Sequence, residues 1–311
     1  MKTPKQANIF MFLLFIFLLF LANLKLFILT FFFPFLLSNN NAWIYQSIYS
    51  IFCFIVPILL YMGIKKVKFN ELIPLAPLKL KNFFLISFLG FAIQPTLNVV
   101  AVFTTLFHED EISNAIYSLT NIPYYKSLFT IAIIPAITEE LAFRGVILTG
   151  YKKSPLLVGV VMSAFYFGIM HLTITQLFYT IVGGIIFALV VKVTKSIYAG
   201  MLMHFILNGT QFTLAYILSK FTPGITEEIT NSQTSNLDDF LSSLVGFGIT
   251  LPFLLLSIFL FIYFNKEEIN ALKEENRAIK NSKNKPKVFT IFFFINILIW
   301  LMAIIIINIL R

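Results

Sequence analysis

Long apolar runs, separated by short polar stretches rich in lysine, set the pattern of this chain. The runs lie at about 9–37, 43–63, 83–107, 127–149, 155–172, 176–191, 197–218, 240–264 and 288–310. Each is close to the ~20 residues that a helix rising 1.5 Å per residue needs to cross a bilayer. The pattern predicts an all-α fold, a polytopic membrane helix bundle of about nine transmembrane helices, several of them short enough to be tilted or partly re-entrant. Residues 1–7 carry Lys2 and Lys5 and lead into the first run much as a signal peptide would, but that run is too long and lacks a clear small-x-small cleavage site. It reads as a retained first span, with Lys25 facing a partner or snorkelling.

Charge then orients the runs. With the N-terminus cytoplasmic, the inner loops hold Lys2 and Lys5, the lysines from Lys65 to Lys81, Lys152 and Lys153, Lys192 and Lys195, and the basic residues from Lys266 to Lys287. The outer side holds Lys126, Lys220 and Arg311, so the balance is 18 against 3, as the positive-inside rule expects. One wrong span would scramble this alternation, which argues for an odd number of crossings. The outer loops 108–111 (HEDE) and 220–239 are acidic and polar, the second carrying Glu227, Glu228, Asp238 and Asp239. The inner stretch 266–287 sets Ile269, Leu272 and Ile279 at loose helical spacing among Lys, Glu and Asn, a pattern for a solvated helical extension or an anionic-lipid contact.

Composition excludes the ordinary soluble classes. Of 311 residues 59% are hydrophobic and 12% charged, with 38 phenylalanines, whereas soluble domains are about a quarter charged. The net charge of +9 does not point to nucleic acid, because it is concentrated in the short inner loops; the lipid bilayer is the partner it implies. Cys53 is the sole cysteine, so no intramolecular disulfide and no CxxC site exist, and in an apolar run it reads as a small packing residue. High Lys, Asn, Ile and Phe with scarce Arg points to an AT-rich bacterial genome and hence to a bacterial plasma membrane.

One run is not purely apolar. Thr138 to Gly145, TEELAFRG, places Glu139, Glu140 and Arg144 inside an otherwise hydrophobic segment, where each ionisable side chain costs a few kcal/mol. Residues four apart share a helix face and neighbours diverge by about 100°. Arg144 therefore lies under Glu140 and neutralises it, while Glu139 points elsewhere without a partner in its own segment. The plain structural alternative is an ion pair plus a spare carboxylate facing water. Two further runs carry polar pairs at the same spacing, Phe167 with His171 and His204 with Asn208. Counted from the inner lysines, Glu139 and Asn208 come out at about 20 Å depth and His204 at about 14 Å. His171 comes out deeper, at about 27 Å, unless its helix starts late or tilts.

EExxxR at Glu139, Glu140 and Arg144, FxxxH at Phe167 and His171, and HxxxN at His204 and Asn208, in that order on successive helices, resemble the CPBP family of intramembrane proteases. That family comprises the CAAX prenyl endopeptidases and the bacterial Abi and bacteriocin-processing proteins. The likeness covers roughly residues 124–212 and divides the chain into N-terminal membrane helices (1–123), a catalytic core (124–212) and C-terminal membrane helices (213–311) with a cytoplasmic charged loop at 265–287. It implies hydrolysis of a peptide bond in a membrane-associated peptide or protein. By resemblance Glu139 and His171 activate water, while His204 and Asn208 stabilise the oxyanion; Glu140, Arg144 and Phe167 support them.

The chemistry is coherent on its own terms, since a poorly solvated carboxylate suits general-base work and histidine and asparagine donate to a developing oxyanion. Zinc held by Glu139, His171 and His204 is a rival arrangement, although HExxH is absent. No aspartate lies within a span and no GxSxG occurs, which sets aside paired-aspartate and serine mechanisms. A bacteriocin immunity protein or other non-catalytic peptide-binding membrane protein is the alternative from a different class. A proton- or ion-relay transporter is a third, without the repeat such folds show.

Overall fold

The computed structural model describes residues 3–34, 41–109, 116–117, 119–222 and 235–309. Lys2, Asp110, Glu111, Glu227, Glu228 and Arg311, on which part of the loop-charge pattern rests, lie outside the described residues, as does the side chain of Lys25. Among the described residues the chain is an all-α bundle, an integral multi-pass membrane protein, whose one β feature is an isolated bridge between Leu75 and Ser196. Helices occupy every predicted run: Pro4–Phe32, Ala42–Lys65, Leu80–Ala92 continued by Gln94–Thr105, residues 124–150, Leu156–Met170, Ile174–Thr194, Ile197–Phe221, Leu237–Phe264 and Ile291–Ile309. Among the described residues six helical stretches are long and apolar enough to cross a membrane. Leu156–Met170 and Ile291–Ile307 are shorter apolar helices, and residues 124–150 are broken by π turns. Among the described residues, length and hydropathy thus qualify six of the roughly nine predicted runs as spans on their own.

The bundle wears its apolar side chains outward, as a lipid solvent requires. Leu59, Phe84, Leu157, Phe253 and Phe294 are all more than half exposed, whereas Glu140 and Arg144 are fully buried. The segments carrying the lysine-rich loops converge at one end, here the basic end. There Ile197 N donates to Pro74 O at 2.7 Å, Leu156 N to Asn276 Oδ1 at 2.7 Å, and Lys79 Nζ to Glu268 Oε1 at 3.0 Å. The predicted extension forms the helix Lys266–Asn281, which turns Ile269 and Leu272 towards the core and buries no residue completely. At the opposite end Tyr124 OH pairs with Thr213 Oγ1 at 2.8 Å and Thr105 Oγ1 with Ser235 Oγ at 2.7 Å.

The helix of residues 124–150, the glutamate helix, lies at the centre, against Pro4–Phe32, Ala42–Lys65 and Ile197–Phe221. Leu156–Met170 and Ile174–Thr194 form an antiparallel hairpin through a reversal at Leu172, whose φ of 56° is the left-handed region. Their contact is close because Gly184 faces Ala164, where an added Cβ would meet Ala164 Cα at 3.1 Å. The first and last helices are tied to this core by a buried polar cluster. Asn8 Oδ1 accepts from the hydroxyls of Tyr151 and Tyr166, and its Nδ2 donates to Val288 O at 3.0 Å and Thr290 Oγ1 at 2.9 Å.

Candidate active site

Helical phase separates the two glutamates as their adjacency predicts. Glu140 is fully buried and its Oε1 accepts from Arg144 Nη1 at 2.7 Å, an i, i+4 ion pair without solvent on either side chain. Arg144 is held from three further directions: its Nη2 donates to Gly184 O at 3.3 Å, and its guanidinium lies 4.4 Å from the Phe167 ring centroid and 4.9 Å from that of Phe187. A buried charge is tolerated only when paired and hydrogen-bonded, and this sandwich supplies both conditions plus cation–π contact. Gly200 makes room for the pair, since a Cβ there would collide with Glu140 Oε2.

Glu139 turns the other way, its side chain 13% exposed, and lines a cavity of about 440 Å³. Phe167, His171, His204 and Asn208 line the same cavity. The structure therefore brings Glu139 together with both imidazoles and the asparagine, contributed by the glutamate helix, the Leu156–Met170 helix and the Ile197–Phe221 helix. Glu140 and Arg144 lie behind the wall. The excess depth counted for His171 from Lys153 shrinks because that helix begins only at Leu156 and His171 is its C-cap. Cys53, expected as packing, is 1% exposed and also forms part of the cavity wall.

Hydrogen bonds assign the ring nitrogens. His171 Nδ1 lies 2.8 Å from Phe167 O; a carbonyl only accepts, so Nδ1 carries the proton and Nε2 of the neutral ring is an acceptor. His204 Nδ1 lies 3.2 Å from Glu140 Oε1, and its Nε2 is 4.0 Å from Glu139 Oε2, beyond a direct hydrogen bond. Phe167 is the common support, edge-on to His171 at 5.0 Å and to His204 at 5.8 Å between centroids while also facing Arg144.

Asn208 Nδ2 donates to Ile131 O at 3.1 Å. This carbonyl is available because the residue four positions on is Pro135, which has no N–H to offer it. The backbone adjusts through the π turn Phe129–Ile133 just before the proline, a distortion that recurs at functional sites. A second π segment, Leu141–Ile147, follows Glu140 and carries Arg144.

Three features escaped the sequence reading: the bond from His204 to Glu140, the Pro135–Asn208 relationship, and the polar rim of the cavity, where Gln46, Gln176, Tyr179 and Gln211 stand. Each joins residues far apart in the chain, and only the proline within an apolar run was a visible signal. The rival zinc arrangement does not fit. Among the described residues no three His, Cys, Asp or Glu side chains come together as metal ligands.

The fold and site define a class: a helical membrane protein with a carboxylate, two imidazoles and an amide around one intramembrane cavity. Residues 121–210 match the family model described as type II CAAX prenyl endopeptidase Rce1-like. No curated protein and no solved structure gives a significant match. The match covers under a third of the chain, and over that segment the chain is similar to the CPBP/CAAX intramembrane proteases.

Proposed function

We propose that the chain is an intramembrane endopeptidase that hydrolyses a peptide bond in a membrane-associated peptide or protein by carboxylate-activated water. The supporting observation is that Glu139, His171, His204 and Asn208, from three separate helices, line one cavity of about 440 Å³. That volume lies within the range of about 300–1,000 Å³ found for small-molecule sites.

In this reading Glu139 removes a proton from water while His171 Nε2 accepts the water's second hydrogen as a hydrogen bond. The water oxygen attacks the carbonyl carbon, and its π electrons become the oxyanion of a tetrahedral intermediate. On collapse the C–N bond breaks, Glu139 returns its proton to the leaving nitrogen, and a carboxylic acid and an amine are released. General-base and general-acid assistance of this kind contributes roughly 10²–10⁴-fold.

Asn208 has a second amide hydrogen besides the one given to Ile131 O, and this hydrogen faces the oxyanion role. His204, with Nδ1–H directed at Glu140, offers Nε2; that nitrogen donates only when the ring carries both protons. In that form His204 and Arg144 together balance the charges of Glu139 and Glu140. A donor to the oxyanion is worth about 3–4 kcal/mol. Glu140, Arg144 and Phe167 position these groups rather than touch substrate.

The test compares membrane peptides released by cells carrying wild-type protein and Glu139→Gln, using mass spectrometry. Loss of specific fragments with unchanged insertion supports hydrolysis; identical fragment sets, or full function of the Glu139→Gln protein, assign it to the non-catalytic peptide-binding class.

A further inference from the structure

The cavity is not centred in the bundle. The helix Ala42–Lys65 contributes Gln46 to Phe54 and nothing nearer its lysine end, and the glutamate helix contributes Thr130 to Glu139 and nothing from 140–150. From Leu156–Met170 and its cap come only Phe167, Met170 and His171. Most of these residues stand in the half of their helix remote from the basic end, with Phe54 and Glu139 just beyond the middle, while Phe187, His204 and Asn208 reach into the basic half of theirs. Gln46 and Gln211 on the rim are exposed. A second cavity of about 320 Å³ shares Leu97, Ile116, Tyr179 and Gln211 with the first and continues to Thr105 and Ser235 at the end opposite the lysines.

Towards the basic end the route is closed. Behind Glu139 lie the buried Glu140–Arg144 pair and then Phe143, Ile147, Tyr151 and Tyr166, each at most 1% exposed. The Asn8 cluster binds the last two of these to the terminal helices. Among the described residues the basic side chains divide 17 to 2 between the two ends, and such a bias sets the cytoplasmic side.

We infer that the active-site cavity is loaded from the extracytoplasmic face, so that the substrate is a polypeptide segment presented at the outer leaflet rather than a cytoplasmic C-terminal tail. The second cavity holds the portion of the substrate leading to the cleaved bond, and the glutamine and tyrosine side chains at the rim match the donors and acceptors of an extended backbone. This rests on the proteolytic reading of the site, but its test does not require cleavage.

In a Cys53→Ser background, Gln211→Cys and Gln46→Cys report the cavity mouth and Lys273→Cys reports the basic end. Intact cells are treated with a membrane-impermeant maleimide before and after permeabilisation. The expected result is that Gln211→Cys and Gln46→Cys label fully in intact cells with no gain on permeabilisation, whereas Lys273→Cys labels only afterwards. Labelling of both rim positions only after permeabilisation, or of neither in folded protein, overturns the inference. A hydrolysis assay on the protein that retains Glu139 separates the two readings: outer labelling without any hydrolysis defeats the protease and leaves the access route standing.

Discussion

Arg144→Ala is the sharpest probe of the support behind the active site. The guanidinium is fully buried, pairs with Glu140 at 2.7 Å and stacks between Phe167 and Phe187. Removing it leaves a buried carboxylate whose remaining partner is His204 Nδ1 at 3.2 Å. Breaking a buried pair from one side costs about 3–5 kcal/mol. At ~2–4 °C per kcal/mol for a large domain, the melting midpoint falls by roughly 6–20 °C. The chain supplies its own reporter, since its only cysteine, Cys53, is 1% exposed and reacts with a bulky thiol-activated fluorophore when the bundle opens. The double variant Glu140→Leu/Arg144→Met removes both charges at similar volume, and such replacements are often neutral. It is expected to regain more than half of the lost midpoint while remaining inactive, because His204 has lost its anchor. An Arg144→Ala midpoint within about 2 °C of wild type would refute the assignment of this pair as the buried electrostatic support.

Three other outcomes are expected. Pro135→Ala returns an N–H to the Ile131 carbonyl and releases Asn208, so turnover falls while the dye midpoint holds or rises; unchanged turnover would show that this carbonyl does not place the asparagine. Asn8→Ala strands the buried hydroxyls of Tyr151 and Tyr166 and, at about 1–3 kcal/mol per unsatisfied group, lowers the midpoint and frees the last helix for proteolysis, whereas Asn8→Asp retains the acceptor and part of the stability. Glu268 has its carboxyl held below the usual range by its own backbone N–H and by Lys79; its stabilising effect is complete above the ordinary glutamate pKa and is lost as the pH falls through the lowered folded value. The pair is largely exposed, so Glu268→Gln changes stability at neutral pH by about 0–1 kcal/mol, measured as the salt-sensitive part of the midpoint.

The positions of the apolar helices were legible because a lipid environment demands long uncharged runs, and EExxxR was legible because helix phase alone separates neighbouring carboxylates. Crossing number was less so. Leu156–Met170 is a short 15-residue helix, and the glutamate helix is remodelled by π turns that no periodicity count anticipates. Glu140–Arg144 is local and followed from spacing. By contrast, the bond between His204 and Glu140 spans 64 residues and that between Asn208 and Ile131 spans 77, so both depend on how helices pack. The run containing Pro135 read simply as apolar; its missing N–H acquired meaning only when Asn208 was found on the opposite helix.

The most direct test uses purified protein in lipid vesicles, a defined set of membrane-associated peptides and water enriched in ¹⁸O, with products read by mass spectrometry. The proposed chemistry predicts one ¹⁸O atom in each newly formed C-terminal carboxylate, together with a roughly 10²–10⁴-fold loss of cleavage in Glu139→Gln at an unchanged melting midpoint. Cleavage by Glu139→Gln at the wild-type rate, with the same label at the same bond, would contradict it.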